Sequence, residues 1–208
     1  MRVPRGVLIV LEGIDGVGKS TLQRGLAARL RAAGYRVALR REPTDPRLGR
    51  AAQRRGVRDP WAGAMYFTLD RALARPAVER ELERGHVLIQ DRSYYSTLAY
   101  QADRLEPRER SALRRLQREV SVEPDRVLWL DVPVETALAR VHRRGAPLAP
   151  LERRANLERV RRAYVRLARP PRWVRLDASA APEPLARVAE ARIRPWLDRR
   201  LRRPGARK

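Results

Sequence analysis

Gly13-Ile14-Asp15-Gly16-Val17-Gly18-Lys19-Ser20, followed by Thr21, is the stretch around which the rest of the chain is organised. It fits G-x-x-x-x-G-K-[ST], the phosphate-binding loop. The spacing lets consecutive backbone N–H groups converge on a phosphate, with Gly13, Gly16 and Gly18 supplying conformations and a close approach that a Cβ would block. Lys19 is placed to reach the β- and γ-phosphates and Ser20 to offer its hydroxyl to Mg²⁺, while the helix opening there aims its positive dipole end at the anion. Upstream, Val7-Leu8-Ile9-Val10-Leu11 is a short apolar, β-branched run of the kind that forms a strand buried on both faces. Downstream, Leu22, Leu26, Ala27 and Leu30 recur at helical spacing. Strand, loop and helix in that order give the match its weight.

The chain has 208 residues, enough for one domain with a sizeable core. It has no cysteine and only two histidines, His86 and His142, which rules out disulfides and a zinc motif and suits a reducing cytoplasm. The apolar run after Arg5 leads straight into the phosphate loop, not into a cleavage site, and no stretch approaches a membrane span. A formal charge of +23 raises nucleic acid as a partner. However, the arginines are spread along the whole chain and rarely alternate with aromatics, as solvated helix faces do and a base-stacking platform does not. No specific nucleic acid is therefore expected. The densest basic cluster is a C-terminal tail at about 199–208. The only lysines are Lys19 and Lys208, so the one internal ammonium sits in the phosphate loop.

Further strands are expected at Arg36–Arg40, His86–Gln90, Val127–Val132 and Trp173–Asp177. Between them lie helical patterns at Pro60–Arg84, with Pro76 as a kink or break, and at Ser96–Asp103, Pro107–Val120, Val134–His142, Leu151–Ala168 and Pro184–Leu201. Strands alternating with helices imply an α/β fold: a five-stranded parallel sheet, right-handed crossovers, helices on both faces and ligands at the carboxyl edge. Three features fall at that edge. Arg41-Glu42-Pro43-Thr44-Asp45-Pro46 reads as a rigid turn whose charged pair lies near a ligand. Asp91 sits at a strand tip beside the phosphate loop, where a Mg²⁺ carboxylate is expected. Arg143 and Arg144 precede Gly145–Pro150, too rich in Gly and Pro to be helical, and mark a basic flap.

Taken together the motifs resemble the thymidylate kinase family, over nearly the whole chain. Leu11–Thr21 looks like the family's phosphate loop, Arg41-Glu42-Pro43 like its Arg-Glu-Pro turn and Phe67-Thr68-Leu69-Asp70-Arg71 like its base-binding helix. Asp91-Arg92-Ser93-Tyr94-Tyr95-Ser96-Thr97-Leu98-Ala99-Tyr100-Gln101 is similar to its Asp-Arg-Tyr signature. The resemblance implies a P-loop nucleotide kinase that phosphorylates dTMP with ATP and Mg²⁺, is cytoplasmic and forms a homodimer. Gly13 to Thr21, Ile14 and Val17 included, would bind ATP. Arg41, Glu42, Pro43, Phe67, Arg71, Arg92, Ser96, Thr97 and Tyr100 would form the acceptor site. In it Phe67 would stack on thymine, Arg71 donate to a base carbonyl, Arg92 and Arg41 hold the phosphate, Thr97 contact the pyrimidine edge and Tyr100 crowd the sugar 2′ position. Lys19, Arg92 and Asp15 would be catalytic. Ser20, Asp15 and Asp91 would serve the metal.

Family members carry a catalytic Arg either inside the phosphate loop or in the lid. Ile14, Asp15, Gly16 and Val17 include no Arg, so the resemblance implies the lid variant, with Arg143, Arg144, Arg153 and Arg154 as candidates in a lid at about 143–154. The chain departs from the family pattern at Ser93, where Tyr is usual, and at Thr44-Asp45-Pro46, where Gly-Gly-Thr is usual. Two other readings stay open on sequence alone. One is a different nucleoside or nucleotide kinase of the same fold. The other is a nucleic-acid-associated P-loop ATPase, motivated by the net charge.

Overall fold

A computed structural model describes residues 5–143 and 150–201. The lid candidate Arg144, the Gly145–Ala149 part of the flap and the basic tail beyond Leu201 lie outside the described residues. The apolar run before the phosphate loop becomes the central strand of a five-stranded parallel sheet, β1 (Val7–Glu12). All six of its residues are buried, which a strand can sustain when helices cover both faces. The other strands are β2 (Val37–Arg41), β3 (Val87–Asp91), β4 (Arg126–Asp131) and β5 (Trp173–Asp177), in the spatial order β2-β3-β1-β4-β5. Because β1 has β3 on one side and β4 on the other, the chain changes direction of winding at β1, the position where open α/β sheets bind ligands. Register brings the functional tips level, with Leu11 opposite Asp91 and Asp91 opposite Arg41.

The helices are α1 (Lys19–Ala32), α2 (Pro46–Gly56), α3 (Pro60–Glu83), α4 (Tyr94–Tyr100), α5 (Pro107–Val120), α6 (Val134–His142), α7 (Arg154–Leu167) and α8 (Pro182–Leu201). Leu22, Leu26, Ala27 and Leu30 of α1 are buried, the stripe their spacing predicts. Several details differ from the sequence expectation. The Asp45-Pro46 pair is a helix start as well as a turn: the Asp45 carboxylate accepts from the Arg47 N–H at 2.7 Å and Pro46 occupies the first turn of α2. Pro76 does not break α3, which runs through it. Ser93 caps α4 two residues earlier than expected by accepting from the Tyr95 N–H, and the helix gives way to a 3₁₀ turn at Ala102–Arg104. α7 begins at Arg154, behind a 3₁₀ turn at Pro150–Glu152.

Candidate active site

The phosphate loop follows β1 and turns over the N-terminus of α1. Gly16 has φ +88°, and a Cβ there would stand 2.3 Å from the Ala137 carbonyl oxygen of α6, so the loop is packed where only glycine fits. Lys19 is buried, and its ammonium donates to the carbonyls of Gly13 and Ile14 at 2.9 Å each. Burial and the charge of Arg92 bring the Lys19 pKa down to about 8, against the opposing pull of Asp15, Asp91 and Glu12. The Ser20 hydroxyl donates to Asp91 Oδ2 at 2.6 Å. Asp91 Oδ1 is buried with no hydrogen-bond partner among the described residues. A hydroxyl and a half-unpaired carboxylate are hard oxygen donors that suit Mg²⁺, an ion that takes its remaining ligands from phosphate and water. Among the described residues no three acidic or histidine side chains group together as a protein-only cage.

Arg92 follows Asp91 in a left-handed conformation, φ 72°, where non-glycine residues rarely stand. Its backbone N–H donates to the Leu11 carbonyl at 3.0 Å, and its guanidinium donates to Ser96 Oγ at 3.1 Å and to Asp15 Oδ1. The Tyr100 hydroxyl donates to the other Asp15 oxygen at 2.8 Å. Burial alone would raise the Asp15 pKa, but Arg92, Lys19 and Tyr100 outweigh it and bring it down to about 2. Beneath them lies Glu12, fully buried at the end of β1. Its two oxygens accept from the Ser93 N–H, the Ser93 hydroxyl, the Ser96 hydroxyl and the Tyr164 hydroxyl, each at 2.7 Å. Burial raises the Glu12 pKa despite those donors. The unusual Ser93 is thus accounted for: its hydroxyl serves Glu12 and the start of α4 at once.

Beside Arg92 opens a cleft of about 270 Å³, lined by Asp15, Arg41, Glu42, Pro43, Phe67, Arg71, Arg92, Ser96, Thr97 and Tyr100 among others. All nine residues expected at the acceptor site therefore share one cavity. Phe67, the only phenylalanine in the chain, is half-buried and offers an aromatic face. Arg71 is held by the Glu42 carboxylate, Nη2 to Oε2 at 2.6 Å and Nε to both oxygens at 3.1 and 3.2 Å. Asp70, next to it and 2 % exposed, accepts from the backbone N–H groups of Thr44 and Asp45 at 2.8 and 2.7 Å. That clamp explains how Thr44-Asp45-Pro46 keeps the turn without the usual glycines.

The family model for thymidylate kinase matches residues 11–187, which span the phosphate loop and the cleft. The chain belongs to the thymidylate kinase family. It is 38 % identical to the thymidylate kinase of Xanthomonas campestris pv. campestris over 207 residues, covering 96 % of this chain and 88 % of the relative. It is 39 % identical to that of Xanthomonas euvesicatoria pv. vesicatoria over 212 residues, with 95 % and 88 % covered. A probable thymidylate kinase of Archaeoglobus fulgidus is 35 % identical over 187 residues, with 88 % and 91 % covered.

Against this thymidylate kinase framework the lid arginines are the expected residues that the structure does not gather. Arg143 and Arg153 are exposed, Arg154 pairs with Glu135 on the surface, and none of the three lines the cleft. From the segment expected to be a lid, Leu151 and Glu152 line the cleft instead. Three cleft-side residues escaped sequence reasoning. Glu12 carried a signal, an acid closing an otherwise apolar strand, and Asp70 carried none. Gln101 also lines the cleft, 1 % exposed, with its Oε1 buried and unpartnered among the described residues. A cleft residue whose buried amide carbonyl lacks a donor has an acceptor to offer a ligand N–H.

Proposed function

We infer that the chain catalyses ATP-dependent phosphorylation of dTMP to dTDP, with the acceptor in the cleft beside Arg92 and the donor on the phosphate loop. The observation that carries the residue assignment is the convergence of Phe67, the tethered Arg71 and Gln101, whose amide carbonyl has no donor among the described residues, on the lining of one cavity that opens beside the phosphate loop. Thymine presents a carbonyl at O4 and an N–H at N3. Phe67 stacks on the ring, Arg71 donates to O4, and Gln101 Oε1 accepts from N3–H, with Thr97 at the same edge. Arg41 and Arg92 hold the 5′-phosphate, a dianion suited to guanidinium forks. Tyr100 and Asp15 lie under the sugar, and Glu42 and Pro43 shape the wall.

On the donor side, backbone N–H groups of residues 13–21 cradle the ATP phosphates. Lys19 leaves the Gly13 and Ile14 carbonyls for the β- and γ-phosphate oxygens. Ser20 and Asp91, with Asp15 nearby, would hold Mg²⁺, which when bound neutralises charge on the phosphates. Phosphoryl transfer asks mainly for positioning and charge, which Lys19 and Arg92 supply at the two sides of the reacting phosphoryl. A lid arginine closing over the site adds the charge that the phosphate loop lacks. A homodimer is supported by the apolar strip on α3, where Leu69 is 48 % and Leu73 68 % exposed. Offering each nucleoside monophosphate in turn and following ADP tests the assignment. dTMP is expected to be used best, and comparable efficiency on dCMP would contradict it, because an amino group at C4 sets a donor against the Arg71 donor.

A further inference from the structure

Behind the cleft, α5 sends one polar side chain into the contact with α3. Gln117 is completely buried, and with Leu113 it is one of only two buried residues on that helix. Its amide is bonded at both ends. Nε2 donates to Thr68 Oγ1 at 2.7 Å, Thr68 donates in turn to the Ala64 carbonyl at 2.7 Å, and Gln117 Oε1 accepts from Arg71 Nη1. The Thr68 hydroxyl has a single proton and spends it on Ala64, so toward Gln117 it is an acceptor only. Gln117 must then present its NH₂ to Thr68 and its carbonyl to Arg71.

The consequence falls on the number of donors left to the cleft. A guanidinium has five N–H groups. On Arg71, Nε–H and one Nη2–H go to Glu42, the other Nη2–H points at Thr97 Oγ1 at 3.4 Å, and one Nη1–H goes to Gln117. A single N–H remains, on the nitrogen that Gln117 holds. We propose that Gln117, with Thr68 behind it, is a specificity-determining positioning residue that fixes Arg71 so that one N–H faces position 4 of the pyrimidine and a 4-amino group is refused. Neither residue touches the substrate. This rests on the cleft binding a pyrimidine monophosphate as inferred above.

The test compares kcat and KM for dTMP, dUMP and dCMP in the wild type, Gln117→Met, Gln117→Glu and Thr68→Val, with thermal unfolding of each. Gln117→Met keeps the length and removes the acceptor. It is expected to cut the dTMP-over-dCMP ratio of kcat/KM by about 10- to 100-fold, the scale of a lost buried hydrogen bond in a discriminating site. The loss should appear in KM for dTMP, with KM for ATP unchanged. Thr68→Val, which frees the amide to turn over, should move the ratio the same way by less, and Gln117→Glu, which keeps an acceptor against Nη1, should restore part of it. If Gln117→Met does not fold, the Thr68→Val ratio decides. Folded variants that are less stable but keep the wild-type ratio overturn the proposal and leave Gln117 as a packing residue. A wild type with no preference for dTMP over dCMP would overturn the substrate reading as well, and the wild-type arm alone reveals it.

Discussion

The Ser20 hydroxyl, in the first turn of α1, donates to the Asp91 carboxylate at the tip of β3 at 2.6 Å, leaving Asp91 Oδ1 buried and unpartnered among the described residues. An unpaired carboxylate oxygen costs free energy unless something cationic arrives. Asp91→Asn keeps the shape and removes the charge. It is expected to lower turnover at sub-saturating Mg²⁺ by at least about 10- to 100-fold and to shift the Mg²⁺ dependence to higher concentration. A Mg²⁺ titration of the rate reads this directly, and an unshifted titration would remove Asp91 from the metal site.

Lys19 sets the pH dependence on the donor side. With its pKa lowered to about 8 by burial and Arg92, the ammonium is charged below that pH and neutral above it. kcat/KM for ATP reports the free enzyme, so it should fall as pH rises through about 8, well before an ordinary lysine would titrate. kcat reports the bound complex, in which phosphate charge favours the ammonium, and should hold to higher pH. Parallel profiles for the two constants would contradict this role.

Glu12 is expected to matter for stability and acceptor binding together. Glu12→Ala leaves the buried Ser93 N–H without its partner and releases three hydroxyls. Denaturant unfolding should show a loss of at least about 1–3 kcal/mol, the cost of one unsatisfied buried donor. Because Glu12 also anchors Ser93 and Ser96 on either side of the left-handed Arg92, KM for dTMP should rise more than KM for ATP.

The lid gives a prediction in which one variant out of four is decisive. Arg143 and Arg153 are exposed, Arg154 is engaged with Glu135, and none of these three lines the cleft, so any of them that serves the reaction must move when nucleotides bind. Among Arg→Ala variants of Arg143, Arg144, Arg153 and Arg154, at least one should lose turnover by about 10³-fold while keeping ATP affinity, as a contact made chiefly in the transition state requires. Wild-type turnover in all four would shift the role to Arg41 and Arg92.

The parts legible in the sequence were those written in local rules. The phosphate loop, the buried run before it, Asp91 at a strand tip and the apolar stripe of α1 each follow from neighbours a few positions apart. α2 went unread because its Arg-rich sequence buries only Gly49, Ala52 and Gly56 and gives little apolar periodicity. Its start, Asp45-Pro46, serves a turn and a helix cap equally well. Glu12, Asp70, Gln101 and Gln117 were hidden for a different reason. Glu12 finds its donors 81 to 152 positions away, Asp70 its N–H groups 25 and 26 positions away, and Gln117 reaches Thr68 across 49, so their roles arise only when β1, α3, α4, α5 and α7 pack. Pro76, read as a kink or a break because proline removes a helix donor, is not a break: α3 continues past it.

The most direct measurement tracks the γ-phosphate itself. ATP labelled at the γ-position is incubated with Mg²⁺, dTMP and either the wild-type chain or Lys19→Ala, and the labelled products are separated. The expected result is label in dTDP for the wild type, with a loss of several kcal/mol of transition-state stabilisation for Lys19→Ala, which is about 10³-fold or more in rate. Label released as inorganic phosphate whether or not dTMP is present, or dTDP formed equally well without Lys19, would contradict the assignment of this site to phosphoryl transfer from ATP to dTMP.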